Sequence, residues 1–419
     1  MKFFSKYNLI IAVLLLAAPL SGNAYGVLTH EAIIDAAWEK SILPLLKHKY
    51  PATTSEQFKE AHAYAYGGAV SPDMGYYPSG SKLFTDLVHY VRSGDMVNAL
   101  LKNAGNVNQY AFALGFLCHY NADKYGHPLG TNRSVPLVYP EIKEKHGNHV
   151  TYAQDKLSHV RMEFGFDVLQ VAKGNYASQS YREFIGFKVD TAILSTAFSE
   201  VYGLNINELF ENHFYRSVET FRFVVANIFP LITRSAWAAK QGDIKKHDPT
   251  ATAERFNYKM RRRNYNKSFG TGYKKPGFFP TIFSVIVRLL PKIGPAKALK
   301  FRTPTPEAEK YFIESFDSVL HHYSLQLNQL KTQSVVLPDL DFDTGKPTER
   351  CEYPLADIAY SDLVLKHKEE NFRNVPVALQ QDIMKFYLSG KTTEVSGESP
   401  KYCNRFQTAL SELKAVKFK

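Results

Sequence analysis

The chain has 419 residues, 45% of them hydrophobic and 22% charged, and a formal net charge of +11. That balance excludes a disordered or fibrous polypeptide and allows one large domain or two. The three cysteines, Cys118, Cys351 and Cys403, exclude a thiolate zinc site, so a metal here must be held through nitrogen and oxygen.

At the start, Lys2 and Lys6 precede the apolar run LIIAVLLLAAPL (Leu9 to Leu20), and small residues follow at Gly22 and Ala24. This pattern reads as a secretory leader over residues 1–24, with a mature chain that begins at Tyr25. A retained membrane anchor is the competing reading. No other stretch reaches the ~18 uninterrupted apolar residues of a membrane span. The expected location is therefore secreted or periplasmic. Export permits disulfides, which makes Cys351 and Cys403 the natural pair and leaves Cys118 as a buried thiol.

From Thr29 to about Lys240 apolar residues recur at three- and four-residue spacing, and strand-like alternation is rare. THEAIIDAAWEKSILPLL opens with Thr29 as its expected cap. NQYAFALGFLCHYNAD continues the helical pattern. TYAQDKLSHVRMEFGFDVLQVAKG does too, with its stop at Gly174. The prediction is a mainly α protein, with a helical bundle over residues 25–245. Residues 246–419 form a second region, whose fold the sequence leaves open. It starts with the basic KMRRRNYNKSFGTGYKKPG and the apolar, proline-broken segment from Phe278 to Phe301. A helix from Pro306 to about Lys331 follows, and then an acidic tail.

Nine of the fourteen histidines fall between His30 and His159. In GFLCHYNADKYGHPLG, His119, Asp123 and His127 repeat every fourth position, so successive groups are turned by about 40° and displaced by about 6 Å along a helix. Spread over about 12 Å, they cannot all reach one zinc, whose ligand bonds are near ~2 Å. They suit a row of metals, with the middle carboxylate bridging two ions about 3.5–4 Å apart. Gly126 and Pro128 predict that the helix ends there, which frees His127 to turn toward another ion. His159 and Glu163 form a further i,i+4 pair. Asp73 lies in a turn and His89 on a helix. Cleavage after Ala24 would expose the α-amine and carbonyl of Tyr25 as a chelate, with His30 one turn away.

Taken together, a mature N-terminus followed by Gly-x-x-Thr-His, an isolated Asp, an isolated His, His-x3-Asp with a further His, and His-x3-Glu resembles the bacterial zinc-dependent phospholipase C family. That family is related to the zinc-dependent single-strand nucleases and to glycosylphosphatidylinositol-specific phospholipase D. The likeness covers roughly residues 25–165. TDLVHYVRSGD and DFDTGKPTERCEYPLADIAY also look like segments of longer members with a C-terminal extension.

The resemblance implies three zinc ions: one on Asp73, His89, His119 and Asp123; one on His127, His159 and Glu163; one on the Tyr25 main chain, His30 and a bridging Asp123. It suggests Asp73 as the group that orients or deprotonates water, and glycerophospholipids such as phosphatidylcholine as substrate. Two departures are visible. Tyr25 stands where the family usually has tryptophan, and three residues separate Asp123 from His127 where the short phospholipases C have five. His146 or His149 is the alternative to His127.

The basic run beside an aromatic, apolar segment suits a phospholipid surface as partner; a buried helical hairpin is the plainer reading. The positive charge also suits nucleic acid. A zinc-dependent single-strand nuclease is thus the alternative activity, and a non-catalytic lipid- or metal-binding protein the third reading.

Overall fold

The computed structural model describes residues 25–173, 175–176, 185–247, 300–388, 395 and 397–416. The leader at 1–24, the stop at Gly174, the basic run at 259–277 and residues 278–299 of the apolar segment lie outside the described residues. The described chain is helical, with an isolated bridge between Leu340 and Pro347 and no strand. The mainly α bundle expected from the sequence is what forms among the described residues.

The helix at the centre is α6, Val107–Gly126, numbered after α1 (Val27–Ala37), α2 (Leu43–Lys49), α3 (Ser55–Val70), α4 (Lys82–Tyr90) and α5 (Ser93–Asn103). Its N-terminus is fixed by Asn106, whose side chain accepts from the amides of Asn108 and Gln109 at 3.0 Å each. From Tyr110 to Asp123 every residue of α6 is buried, so it needs neighbours on all sides. On one side α3 crosses it at close range. A Cβ on Gly68 would meet the Phe112 carbonyl oxygen at 2.0 Å, and one on Gly115 would meet that of Ala65 at 2.1 Å. On another side lies α14, Pro306–Gln329, after α7 (Asn132–Val138), α8 (Pro140–His146), α9 (Lys156–Lys173), α10 (Thr191–Tyr202), α11 (Ile206–Leu209), α12 (Phe214–Phe223) and α13 (Phe229–His247). Tyr323 of α14 donates to the Leu114 carbonyl at 2.8 Å, and Phe312 stacks on Phe166 of α9 at 4.4 Å.

The first helix differs from its sequence expectation in an instructive way. It starts at Val27 with Gly26 before it, and Thr29 is not its cap. The cap comes instead from α9: Asp167 accepts from the amides of Leu28 (3.1 Å) and Thr29 (3.0 Å) and from the Thr29 hydroxyl (2.7 Å). Burial pushes the Asp167 carboxyl up to about 7, against the pull of those donors. A Cβ on Gly26 would lie 2.1 Å from Asp167 Oδ2. Gly26→Ala should therefore cost about 1–3 kcal/mol, as overpacking does. Thermal unfolding of the two proteins side by side reads this, and an unchanged midpoint would contradict the remote cap.

The C-terminal tail, left open by the sequence, folds as a loop from 332 to 353 and three helices, α15 (Pro354–Glu369), α16 (Val377–Leu388) and α17 (Pro400–Ala415). Tyr360 stacks on Phe386 at 3.8 Å, and His367 Nε2 bonds the Tyr202 carbonyl at 2.8 Å, which ties the tail to α10. The expected Cys351–Cys403 bridge is not formed: all three cysteines are free thiols. Cys403 is buried on α17, whereas Cys351 is exposed in a turn with φ of +64°. No helix among the described residues is long and apolar enough to cross a membrane.

Candidate metal centre

The chain does not leave the helical path at Gly126, where Gly126 and Pro128 predict an end, but stays helical: His127–Thr131 make a single wider turn that leads straight into α7. Successive i,i+4 side chains on α6 bring His119 and Asp123 together: His119 Nε2 is 3.1 Å from Asp123 Oδ2. The wider turn then places His127 Nε2 4.0 Å from the other oxygen, Oδ1. Asp123 thus faces two ways.

On the Oδ2 side lie His89 Nε2 at 3.5 Å and, beyond it, Asp73 Oδ1 at 3.3 Å from the same nitrogen. On the Oδ1 side lies His30 Nε2 at 3.7 Å, its ring stacked on that of His119 with centroids 4.4 Å apart. The third assembly is on α9 and the turn after α6: His159 Nδ1 is 2.9 Å from Glu163 Oε1, and the His127 ring stacks on His159 at 4.9 Å. Three groups result, each with donor atoms within 4.8 Å of one another: His30, His119 and Asp123; Asp73, His89 and His119; His127, His159 and Glu163.

Tyr25 closes this end of the site. Its ring packs edge-on against Phe312 at 5.4 Å and against His30 at 6.4 Å, and its hydroxyl bonds that of Ser315. The serine satisfies the polar atom that tyrosine carries where the family usually has tryptophan.

The imidazoles are held in one orientation by the protein. His89 Nδ1 bonds the Thr85 carbonyl at 2.8 Å and His119 Nδ1 that of Ala69 at 2.9 Å, which leaves Nε2 of each for the centre. His159 is held the other way round, by Asn132 Oδ1 at 2.8 Å from Nε2, so that Nδ1 faces Glu163.

All of these side chains are buried. Burial drives the His30 and His159 rings well below the usual imidazole range, and with His89 and His119 it takes His127 down to about 3. Glu163 is pushed well above the carboxylate range by burial, and Asp123 up to about 6 against the pull of His119. His89 is the exception. Burial lowers it, but the adjoining Asp73 carboxylate more than compensates, and it settles at about 9.

Whether zinc fits this donor set can be judged from what the polar atoms lack. Both His30 nitrogens, Asp73 Oδ1, both Asp123 oxygens, His127 Nε2, His159 Nδ1 and Glu163 Oε1 are buried without a well-formed hydrogen bond. Each such atom costs about 1–3 kcal/mol if nothing meets it. Their convergence at one place, as nitrogen and carboxylate oxygen with no thiolate, is what a cluster of divalent zinc ions satisfies.

Residues 29–212 match the model of the family described as zinc-dependent phospholipase C. Those residues belong to the zinc-dependent phospholipase C family. No curated protein and no solved structure matches the chain. The phospholipase C region holds every expected side-chain ligand from His30 to Glu163, whereas Tyr25 precedes it.

Within the matched region, the structure brings His127 to His159 and Glu163, while His149 is exposed and neither it nor His146 joins a metal-competent group among the described residues. Two neighbours of the centre were missed by sequence reasoning. Asn132 follows the α6 turn as an ordinary polar residue. Asp343, from the tail, is fully buried with Oδ1 3.9 Å from His127 Nδ1. Its signals were the acidic alternation Asp339, Asp341, Asp343 and its place in DFDTGKPTERCEYPLADIAY, neither of which pointed to the metal centre.

Proposed function

We propose that this protein is an exported phospholipase C that hydrolyses glycerophospholipids, phosphatidylcholine among them, to diacylglycerol and a phosphorylated head group. The observation that carries the reading is the convergence of unpaired, buried nitrogen and oxygen donors around Asp123. In it Asp73, His89, His119 and Asp123 hold one zinc. His127, His159 and Glu163 hold a second. The amine and carbonyl of Tyr25, freed by removal of the leader, hold a third with His30 and Asp123.

A phosphodiester repels nucleophiles and has a poor alkoxide leaving group. Bound zinc supplies neutralisation of the non-bridging oxygens, acidification of water and stabilisation of the departing oxygen. The chain's own residues do the rest. Asp73, with Oδ1 lacking a hydrogen bond, orients the attacking water and takes its proton. The Thr85 and Ala69 carbonyls and Asn132 keep the imidazoles from turning. Burial keeps bulk water out, which strengthens each electrostatic contact. The substrate is presented at a phospholipid surface, for which the basic and apolar segments at 259–299 supply the charge and the apolar residues.

The test is release of phosphocholine from phosphatidylcholine by the leader-free protein, set beside hydrolysis of single-stranded DNA. Lipid turnover is expected, and Asp73→Asn should reduce it by about 10²–10⁴-fold, the usual worth of a general base. Turnover of DNA alone would transfer the site to the nuclease branch. Zinc binding without turnover of either would leave a binding protein.

A further inference from the structure

The loop that carries Asp343 is built tightly against the metal centre from outside the matched region. The Phe342 amide donates to the His89 carbonyl at 3.3 Å, and the Phe342 ring packs on the rings of His89 (5.2 Å) and His119 (6.0 Å). The Asp343 carbonyl accepts from Asn132 Nδ2 at 2.9 Å, and its Oδ2 accepts from Tyr90 at 2.8 Å and from Tyr353. The turn is closed by the Gly345 amide on the Asp341 carbonyl at 2.9 Å. Only Asp343 Oδ1 has no partner, although the side chain is fully buried.

His127 has the matching deficiency. His89, His119 and His159 each give one ring N–H to a protein oxygen and keep the other nitrogen for the centre. For His127 the nitrogen toward the centre is Nε2, which has no partner. Near Nδ1 stand His159 Nε2 at 3.4 Å, whose hydrogen is directed at Asn132, and Asp343 Oδ1 at 3.9 Å. Of these two, the carboxylate is the acceptor.

We propose that Asp343 is the positioning residue for His127: its Oδ1 accepts the Nδ1–H and commits Nε2 to the zinc shared with His159 and Glu163. The centre is then incomplete without a residue of the C-terminal tail, beyond the span that defines the family. This inference rests on the zinc reading above. Carboxylate–histidine–metal relays of this kind fix both tautomer and ring orientation, and their loss typically weakens metal binding about 10–100-fold.

The test compares the full leader-free chain with Asp343→Asn, which keeps the shape of the side chain. Zinc affinity is read by competition with a chromophoric chelator, and the melting of the metal-free forms is recorded. One zinc should bind about 10–100-fold more weakly in the variant, with the others and the metal-free melting unchanged. In a His127→Ala background the same substitution should have no further effect on zinc. Unchanged affinity for every zinc would overturn the proposal. So would a uniform weakening of all zincs with a lower metal-free midpoint, since that marks a packing role alone. If the wild-type chain held no zinc, the reading of the centre itself would fail, and this inference with it.

Discussion

Asp123→Asn is expected to abolish the proposed phospholipid hydrolysis and to disturb two of the three proposed zinc positions together. Among the described residues, the two oxygens of Asp123 face different histidines, Oδ2 toward His119 and His89, Oδ1 toward His30 and His127. An amide keeps the volume but offers a single, neutral oxygen. The position built on His30 should then lose its zinc, and the one built on Asp73, His89 and His119 should hold its zinc weakly. The group of His127, His159 and Glu163 contains no Asp123 and should stay loaded. Metal assistance is worth several kcal/mol at the transition state, so kcat/KM should fall by at least about 10³-fold. Elemental analysis and phosphocholine release on the same preparation check both parts. A variant with the full zinc complement and ordinary turnover would show that the bridging role is misplaced.

A single extra residue in front of Tyr25 is expected to remove one zinc. The proposed third position depends on a free α-amine, and extension converts that amine into a peptide nitrogen, which is a poor ligand. Tyr25 itself is held firmly, with its ring against Phe312 and its hydroxyl on Ser315. An N-terminal Met before Tyr25 should thus leave the fold and the other two zincs intact and lower turnover by about 10–100-fold, as loss of a supporting ligand does. Zinc per chain and activity, compared with the leader-processed protein, give the answer. Equal zinc in both forms would remove the amine from the centre.

Much of this site was legible in the sequence because the chemistry follows helical spacing. His119 with Asp123 and His159 with Glu163 are i,i+4 pairs, and a pair on one helix can be read without knowing the fold. The helix end read from Gly126 and Pro128 did not form: the chain stays helical through a wider turn that carries His127 and continues into α7. That Asp73 meets His89 and that His30 stacks on His119 depends on how separate helices cross, which spacing does not encode. Asp343 was hidden for a related reason. It comes from an irregular turn with no periodicity, and only three-dimensional folding brings it to His127. The cap of α1 was misread because its acceptor, Asp167, comes from a distant helix while Thr29 is the local candidate. Likewise, export makes a disulfide chemically permissible, but only geometry could place Cys351 beside Cys403, and it does not.

The most direct measurement is a zinc-edge anomalous difference map from crystals of the leader-processed protein. The account predicts three peaks around Asp123, one of them at the Tyr25 amine. A single peak away from Asp123, or none in protein that still hydrolyses phosphatidylcholine, would contradict it.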